Sequence, residues 1–245
     1  MTTVRIANRF NGPAQSGNGG YVCGAIAKAI GESVRVRLHQ PPPLEEDMSV
    51  RAIKDGEWQV LRNQDIIATA TLADVATAVP AAPAYIEALS ASKHFPGFQQ
   101  HNFPTCFVCG PQRARGDGMR IFPGLLPGAN VFAAPWLPDS SLIDSSGKVH
   151  AEFIWAALDC PGYYAAVPAG RVAMLGDLAV HVDRSVHLDE SCVVVGWAIK
   201  AAGRKFTVGT ALFDEDSERC AVGLATWIEL HPDAVKLAAA QKQAQ

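Results

Sequence analysis

Hydrophobic and polar positions along the chain predict two small-residue helices, each followed by about four strands. The first apolar stretch covers residues 16–27, and Gly31 is a plausible stop signal after it. The second covers residues 149–159. A helix with almost no polar face must be surrounded by protein. We therefore expect both helices to lie at the centre of the fold.

The segments after each helix have the pattern of strands. Between residues 33 and 38, valine and leucine alternate with arginine, which is typical of a strand with one solvated face. Asp55-Gly56 is a good hairpin turn. The predicted strands are 33–38, 48–53, 58–62 and 66–72 in the first half, and 178–182, 192–199, 206–213 and 220–230 in the second.

The common order of these segments indicates that one layout occurs twice. Gly56 and Gly203 fall at corresponding places between two strands. A parallel α/β fold needs a helix between successive strands, and these segments offer only short turns. Two antiparallel sheets joined edge to edge would instead hide their edge strands. The prediction is a duplicated α+β fold in which each central helix is wrapped by a curved antiparallel sheet. Its units are residues 1–80 and 105–232, with a linker at 81–104 and a terminal helical tail at 233–245.

Composition narrows the function classes. The chain has 245 residues and 49% hydrophobic content, enough for a real core. A net charge of −3 provides no broad attraction to nucleic acid or anionic membrane, so neither is expected as a partner. No apolar run reaches the roughly 18 residues of a membrane span, and the first residues do not look like a signal peptide. A cytoplasmic location is the expectation.

The six cysteines are scattered, except for Cys106 and Cys109. This Cys-x-x-Cys pair has half of the spacing of a zinc site, and completing it would require His94, His101 or a cysteine from elsewhere. Because there is no second Cys-x-x-Cys, the preferred interpretation is a packed turn, and we expect no metal.

Asp159 is the candidate that a functional interpretation starts from. A carboxylate in a buried apolar helix is costly unless something uses or solvates it. Apolar surroundings raise the pKa of a carboxyl group and make it a stronger base. The alternative is that Asp159-Cys160-Pro161-Gly162 breaks the helix and that Asp159 caps the turn that follows. The two interpretations do not exclude each other.

Three short motifs resemble those of hotdog-fold acyl-CoA thioesterases, specifically the tandem double hotdog. Residues 106–111 (Cys-Phe-Val-Cys-Gly-Pro), followed by Gly-Met-Arg-Ile-Phe at 118–122, look like the opening of single hotdog thioesterase domains. The segment from His150 to Asp159 looks like the helix of the phenylacetate-pathway type. Asn18-Gly19-Gly20-Tyr21 looks like the helix start of double-hotdog acyl-CoA thioesterases.

The resemblance implies a hydrolase for an acyl-CoA thioester. Asp159 would act as general base or nucleophile, and N–H groups near Ala151 and Glu152 would stabilise the oxyanion. Asn18 and the Gly19-Gly20 turn would face the second helix from the first half. The family's Gly-Gly after the histidine is Ala151-Glu152 here, and the first-half position equivalent to Asp159 is Ala27, so at most one of the two related sites could use this carboxylate.

The remaining candidates each have a structural alternative. His150 could orient substrate, or be only a cap or loop residue, and Asn18 could be only an N-cap. Glu152 is ordinarily a favourable partner of the helix dipole. Arg113 and Arg115 could hold the phosphates of coenzyme A, or lie on a solvated loop. We expect no cofactor beyond coenzyme A as part of the substrate, and, by the resemblance, a homodimer or larger assembly. The rival hypothesis is a non-catalytic binder of acyl-CoA.

Overall fold

A computed structural model describes residues 2–231 and residue 233, so all of the predicted tail except Asp233 lies outside the described residues. Within this part of the chain, the strands form one eleven-stranded antiparallel sheet. They are β1 (Thr2–Arg5), β2 (Val34–Leu38), β3 (Asp47–Lys54), β4 (Glu57–Arg62), β5 (Asp65–Leu72), β6 (Gly124–Leu125), β7 (Val131–Trp136), β8 (Ala173–Val182), β9 (Cys192–Ala202), β10 (Lys205–Phe213) and β11 (Arg219–Glu229). The helices are α1 (Gly19–Ile30), α2 (Tyr85–Ser92), α3 (Ala151–Ala157) and α4 (Cys160–Ala166), with short 3₁₀ turns at Asn8–Phe10, Pro96–Phe98 and Ser140–Leu142.

The strand order is β1-β3-β4-β5-β2-β8-β11-β10-β9-β7-β6. One order therefore occurs twice when each half is followed inward: β1-β3-β4-β5-β2 in the first half, and β7-β9-β10-β11-β8 in the second half, where β6 adds an extra edge strand. The halves meet where β2 pairs with β8, with Val36 opposite Leu178. Both side chains are fully buried, so the junction belongs to the core. One large antiparallel sheet with few helices confirms the α+β prediction.

The eight predicted strands are present with bounds within three residues of those expected, except that β8 begins five residues earlier. Three further strands were missed. β1 and β6 are short. β7 contains Pro135, and proline is unfavourable within a strand because it cannot donate a backbone hydrogen bond. The proline is tolerated here because β6 pairs only with Phe132 and Ala133, so at Pro135 only β9 adjoins β7.

Helix α1 begins and ends at the residues that the sequence indicates. The Asn18 side chain accepts a hydrogen bond from the Tyr21 N–H at 2.9 Å, and Gly31 adopts φ +80° at the other end. Gly24 brings α1 against α3, since a Cβ atom there would lie 2.7 Å from the Cβ of Trp155 and 2.8 Å from the Cα of Glu152. The two helices therefore touch almost backbone to backbone.

The second predicted helix, residues 149–159, corresponds to α3, which is two residues shorter at each end. α3 ends at Ala157 and α4 begins at Cys160. Pro161 has no N–H to donate to the Ala157 carbonyl, so the helical ladder cannot pass this point. Asp159 lies at the break. α2 falls in the predicted linker and packs on the second half, where Ala88 joins a small apolar cluster with β7, β9 and β10. The predicted unit boundaries themselves stay predictions. None of the described helices is long and apolar enough to cross a bilayer.

Candidate active site

Asp159 joins the two halves of the molecule. Its carboxylate is 2% exposed, and Oδ2 accepts hydrogen bonds from the Asn18 amide at 2.8 Å and from the Gly20 N–H at 3.0 Å. Oδ1 is buried and has no hydrogen-bond partner in the described part of the chain. The side chain makes no capping bond to α4 and contacts the start of α1 instead. The expected helix break is present, but the expected local cap is wrong.

Burial dominates the electrostatics of this carboxyl group. It raises the pKa of Asp159 from 3.8 to about 7, against the opposing effects of the Gly20 N–H and the Asn18 amide. Gly20 allows this approach, since a Cβ atom there would lie 2.6 Å from the Cβ of Asp159. The group is therefore poised to exchange a proton near neutral pH.

A cavity of about 310 Å³ reaches Asp159. Its walls come from the start of α1, the residues after β2, the segment around residue 103, the start of α4, and strands β8 and β11. Most of the lining is apolar or aromatic. Its larger members are Leu38, Pro41, Pro42, Phe103, Tyr163, Tyr164, Met174, Leu175, Trp227, Ile228 and Leu230. This composition suits an apolar ligand with a few polar groups.

Some polar atoms at this cavity have no partner among the described residues. Two are Ser16 Oγ and Trp227 Nε1, both buried side-chain atoms of residues that line it. A further donor is the N–H of Gly19, which as the first residue of α1 has no acceptor within that helix. The first N–H groups of a helix point outward and carry partial positive charge, so they favour an anionic ligand atom.

Three thiols lie beside the carboxylate. Cys106, Cys109 and Cys160 line the cavity, and their Sγ atoms all lie within 4.8 Å of one another. Hydrogen bonds from the other two thiols, together with the N–H groups of Val108 and Cys109, hold the pKa of the Cys106 thiol below its ordinary value despite burial. Cys160 directly follows Asp159, yet its proximity to the Cys-x-x-Cys turn cannot be inferred from its position in the sequence. For that reason Cys160 could not be identified from the sequence as a neighbour of Cys106 and Cys109.

The structure does not bring the residues around the start of α3 to this cavity. Ala151 and Glu152 begin the helix whose other end precedes Asp159, so their N–H groups lie about 12 Å from it along the helix. His150 occupies the N-cap position without a side-chain capping bond. Glu152 is buried and forms an ion pair with Lys28 at 2.8 Å, which joins α3 to α1.

The two arginines have different surroundings. Arg113 donates to the carbonyls of Thr105 and Arg9 at 2.8 Å and pairs with Asp117 at 2.9 Å, so it holds the loop together. Arg115 is exposed. Neither lines the cavity, and no lysine or arginine is among the described residues that do. The assignment of these two residues to the phosphates of coenzyme A stays a prediction.

No protein-family model and no curated protein sequence matches the chain. Among solved structures, the tesB protein of Mycobacterium avium subs paratuberculosis is similar with a TM-score of 0.61 and 12% identity, covering 94% of this chain and 92% of that one. A Thermobifida fusca protein provisionally named thioesterase II gives a TM-score of 0.60 and 13% identity over 93% and 92%. A shorter Streptococcus mutans protein, solved bound to acetyl CoA, covers 41% of this chain and 82% of its own at a TM-score of 0.39 and 12% identity. The first two matches confirm the resemblance to thioesterases at the level of the fold.

Proposed function

We propose that the chain is a double-hotdog hydrolase that cleaves an acyl-CoA thioester. The observation that carries this proposal is the carboxylate of Asp159. One of its oxygens is fixed by Asn18 and Gly20 of the other half, and the other is unpaired at a mainly apolar cavity. A buried carboxylate held in this way is ready to take a proton from water.

The reaction needs a base, a water molecule and a stabilised oxyanion. Asp159 accepts a proton from the water, whose oxygen forms a bond to the thioester carbon. The negative charge that develops on the carbonyl oxygen is stabilised by the Gly19 N–H at the start of α1. The carbon–sulfur bond then breaks, and the proton held by Asp159 passes to the leaving thiolate. The products are a carboxylic acid and free coenzyme A.

This assignment moves the proposed oxyanion site from the start of α3 to the start of α1. Ala151 and Glu152 lie at the end of α3 remote from Asp159. Gly19 lines the cavity, as does Gly17 in the turn that leads into α1. Leu175 is packed against Gly19, since a Cβ atom there would lie 2.8 Å from the Leu175 side chain. Leu175 and its neighbours would hold the acyl group.

The test is thiol release from a panel of acyl-CoA substrates that differ in chain length and ring content. Wild type should release coenzyme A, and Asp159→Asn should reduce kcat by at least about 100-fold. Asn18→Ala should lower kcat less, because it removes only one of two donors to Oδ2. Arg51→Ala is the matched control, since Arg51 is exposed and does not line the cavity. Equal rates for wild type and Asp159→Asn would remove Asp159 from the mechanism.

One observation favours the rival function, a non-catalytic acyl-CoA binder. Asp159 Oδ1 is buried, so water must enter the site before it can be activated. A binder would show saturable acyl-CoA binding by calorimetry without thiol release over hours, and Asp159→Asn would leave that affinity nearly unchanged. Hydrolysis by wild type that is lost in the variant would exclude this alternative.

Assembly and location stay predictions. We propose a homodimer or larger assembly, a hypothesis that rests on the resemblance alone, and the cytoplasmic location expected from the sequence stays a prediction. Light scattering on the purified full chain tests the assembly, and a mass equal to one chain at micromolar concentration would refute it.

A further inference from the structure

Three cysteines from two separate segments of the chain form one compact sulfur cluster. Cys106 and Cys109 belong to the loop after Thr105, and Cys160 is the first residue of α4. The Sγ atoms of Cys106 and Cys160 are 4.0 Å apart, and all three Sγ atoms lie within 4.8 Å of one another. All three thiols are buried and free. The sequence indicates two neighbouring thiols, Cys106 and Cys109, and the fold places a third, Cys160, beside them.

These distances suit a single metal ion. Tetrahedral zinc with Zn–S bonds of about 2.3 Å places its sulfur ligands about 3.8 Å from one another. A disulfide requires about 2.05 Å between the sulfurs, so the 4.0 Å between Cys106 Sγ and Cys160 Sγ excludes a bond between them and is close to the separation of zinc ligands. Soft thiolate ligands select zinc and other thiophilic metals over magnesium or calcium.

The surroundings of the sulfurs are those of hydrogen-bond acceptors. The Asn18 amide donates a hydrogen bond to Cys106 Sγ at 3.8 Å. Cysteines that serve only as small apolar side chains need no such donors. Gly110 permits the tight turn, since a Cβ atom there would lie 2.5 Å from the Cys106 carbonyl oxygen.

His101 supports the cluster from outside it. Its Nδ1 accepts a hydrogen bond from the Phe103 N–H at 3.0 Å, so Nε2 carries the hydrogen in the neutral ring. Nε2 lies 3.3 Å from Cys109 Sγ and therefore donates to that sulfur. A ring nitrogen that bears a hydrogen cannot ligate a metal. His101 thus belongs to the hydrogen-bonding shell that orients a ligand.

We propose that Cys106, Cys109 and Cys160 bind one Zn²⁺ ion. All three residues line the cavity, so a water molecule or a ligand atom can fill the fourth coordination position. The ion would connect the Cys-x-x-Cys turn to the start of α4 and so fix the helix break next to Asp159. This site does not rest on the proposed hydrolase activity.

The experiment uses the full chain, reduced and stripped of metal, titrated with Co²⁺ and then Zn²⁺. We expect thiolate-to-cobalt charge-transfer absorption and the d–d bands of tetrahedral Co²⁺, saturating at one ion per chain and displaced by Zn²⁺. Cys160→Ala and Cys109→Ala should each lose the charge-transfer band. Cys23→Ala is the matched control, a buried helical cysteine in α1 outside the cluster, and should bind as wild type does. His101→Ala should bind about 10–100-fold more weakly.

The outcomes separate this proposal from the proposed function. Asp159→Asn should bind Co²⁺ as wild type does, because Asp159 is not a ligand, although the variant is expected to be inactive. Circular dichroism establishes that each cysteine variant is folded. A folded, reduced wild type without charge-transfer absorption would overturn the metal site, as would identical Co²⁺ spectra for wild type and for folded Cys160→Ala and Cys109→Ala.

Discussion

Replacing Asp159 by asparagine should make the protein less active and, at alkaline pH, more stable. The carboxyl group has a pKa of about 7 in the fold and 3.8 when solvated, because burial disfavours its charged form. Above neutral pH the wild type therefore carries the cost of a buried charge, whereas the Asp159→Asn variant does not. The side-chain amide of the variant can present its carbonyl oxygen to the same two donors, Asn18 and Gly20, that Oδ2 accepts from.

The magnitude follows from linkage. Because the pKa of Asp159 is higher in the folded than in the unfolded state, the free energy of unfolding of the wild type falls as pH rises from 3.8 to about 7. The difference between a pKa of 3.8 and one of about 7 corresponds to a loss of about 4 kcal/mol in the free energy of unfolding. The free energy of unfolding of the variant minus that of wild type should thus grow by about 4 kcal/mol between pH 4 and pH 8. Any constant cost of the unpaired amide group in the variant cancels in this difference.

The measurement is urea denaturation of both proteins at the two pH values, with reductant and a chelator present so that the metal-free chain is compared. Asp144→Asn provides an internal control of opposite sign. The pKa of Asp144 is lowered by the Ser146 hydroxyl and by the N–H groups of Lys148 and Ser146. If Asp159 were an ordinary anionic cap, Asp159→Asn would instead lose stability at pH 8 relative to pH 4, and the reasoning would be refuted.

Three further changes test the packing and charge assignments. Gly24→Ala should destabilise the fold by about 1–3 kcal/mol in urea denaturation, because the added Cβ would lie 2.8 Å from the Glu152 Cα. Alanine by itself favours a helix, so unchanged stability would contradict the contact. Lys28→Met should lower the free energy of unfolding by about 1–3 kcal/mol, because it leaves the buried Glu152 carboxylate without its ion-pair partner. If the ion pair is the cause, the double variant with Glu152→Gln should recover most of that loss. Burial raises the pKa of Asp214, but Arg184 and two N–H groups outweigh it and lower the pKa below 3.8. Asp214→Asn should therefore reduce the thermal unfolding temperature at pH 7, where the carboxylate is charged in both states, and much less at pH 2–3; a loss of equal size at both would contradict the assignment.

The sequence predicted the elements of the sheet well because their patterns are local. Alternation between residues 33 and 38 reflects one buried face, and Asn18 and Gly31 bound α1 through local backbone chemistry. β7 was missed because Pro135 argues against a strand unless the neighbouring strand is known to be short. The break between α3 and α4 could be anticipated from the sequence, because Pro161 has no backbone N–H to continue the helix.

The site was only partly predictable. Asp159 was found because a charged residue in an apolar helix is unusual in any fold. Its partners, Asn18 and Gly20, were expected to face the second helix only through the resemblance to a family. The cluster brings Cys160 to Cys106, 54 positions earlier in the same half, and the contact of Asp159 with Asn18 and Gly20 depends on where the two halves meet. That contact joins residues about 140 positions apart, and no pattern in either segment specifies it.

The hydrogen bond from Gly20 to Asp159 crosses between the two copies of the layout, and this has an evolutionary consequence. Two identical chains related by symmetry must carry the same residue at both equivalent places. A single chain that contains both copies is free of that constraint, so one copy can specialise in presenting donors while the other supplies the acid. Divergence of the copies is then expected to be greatest where α1 meets the break between α3 and α4, and recombining either copy with itself should yield a sheet without the reactive pair.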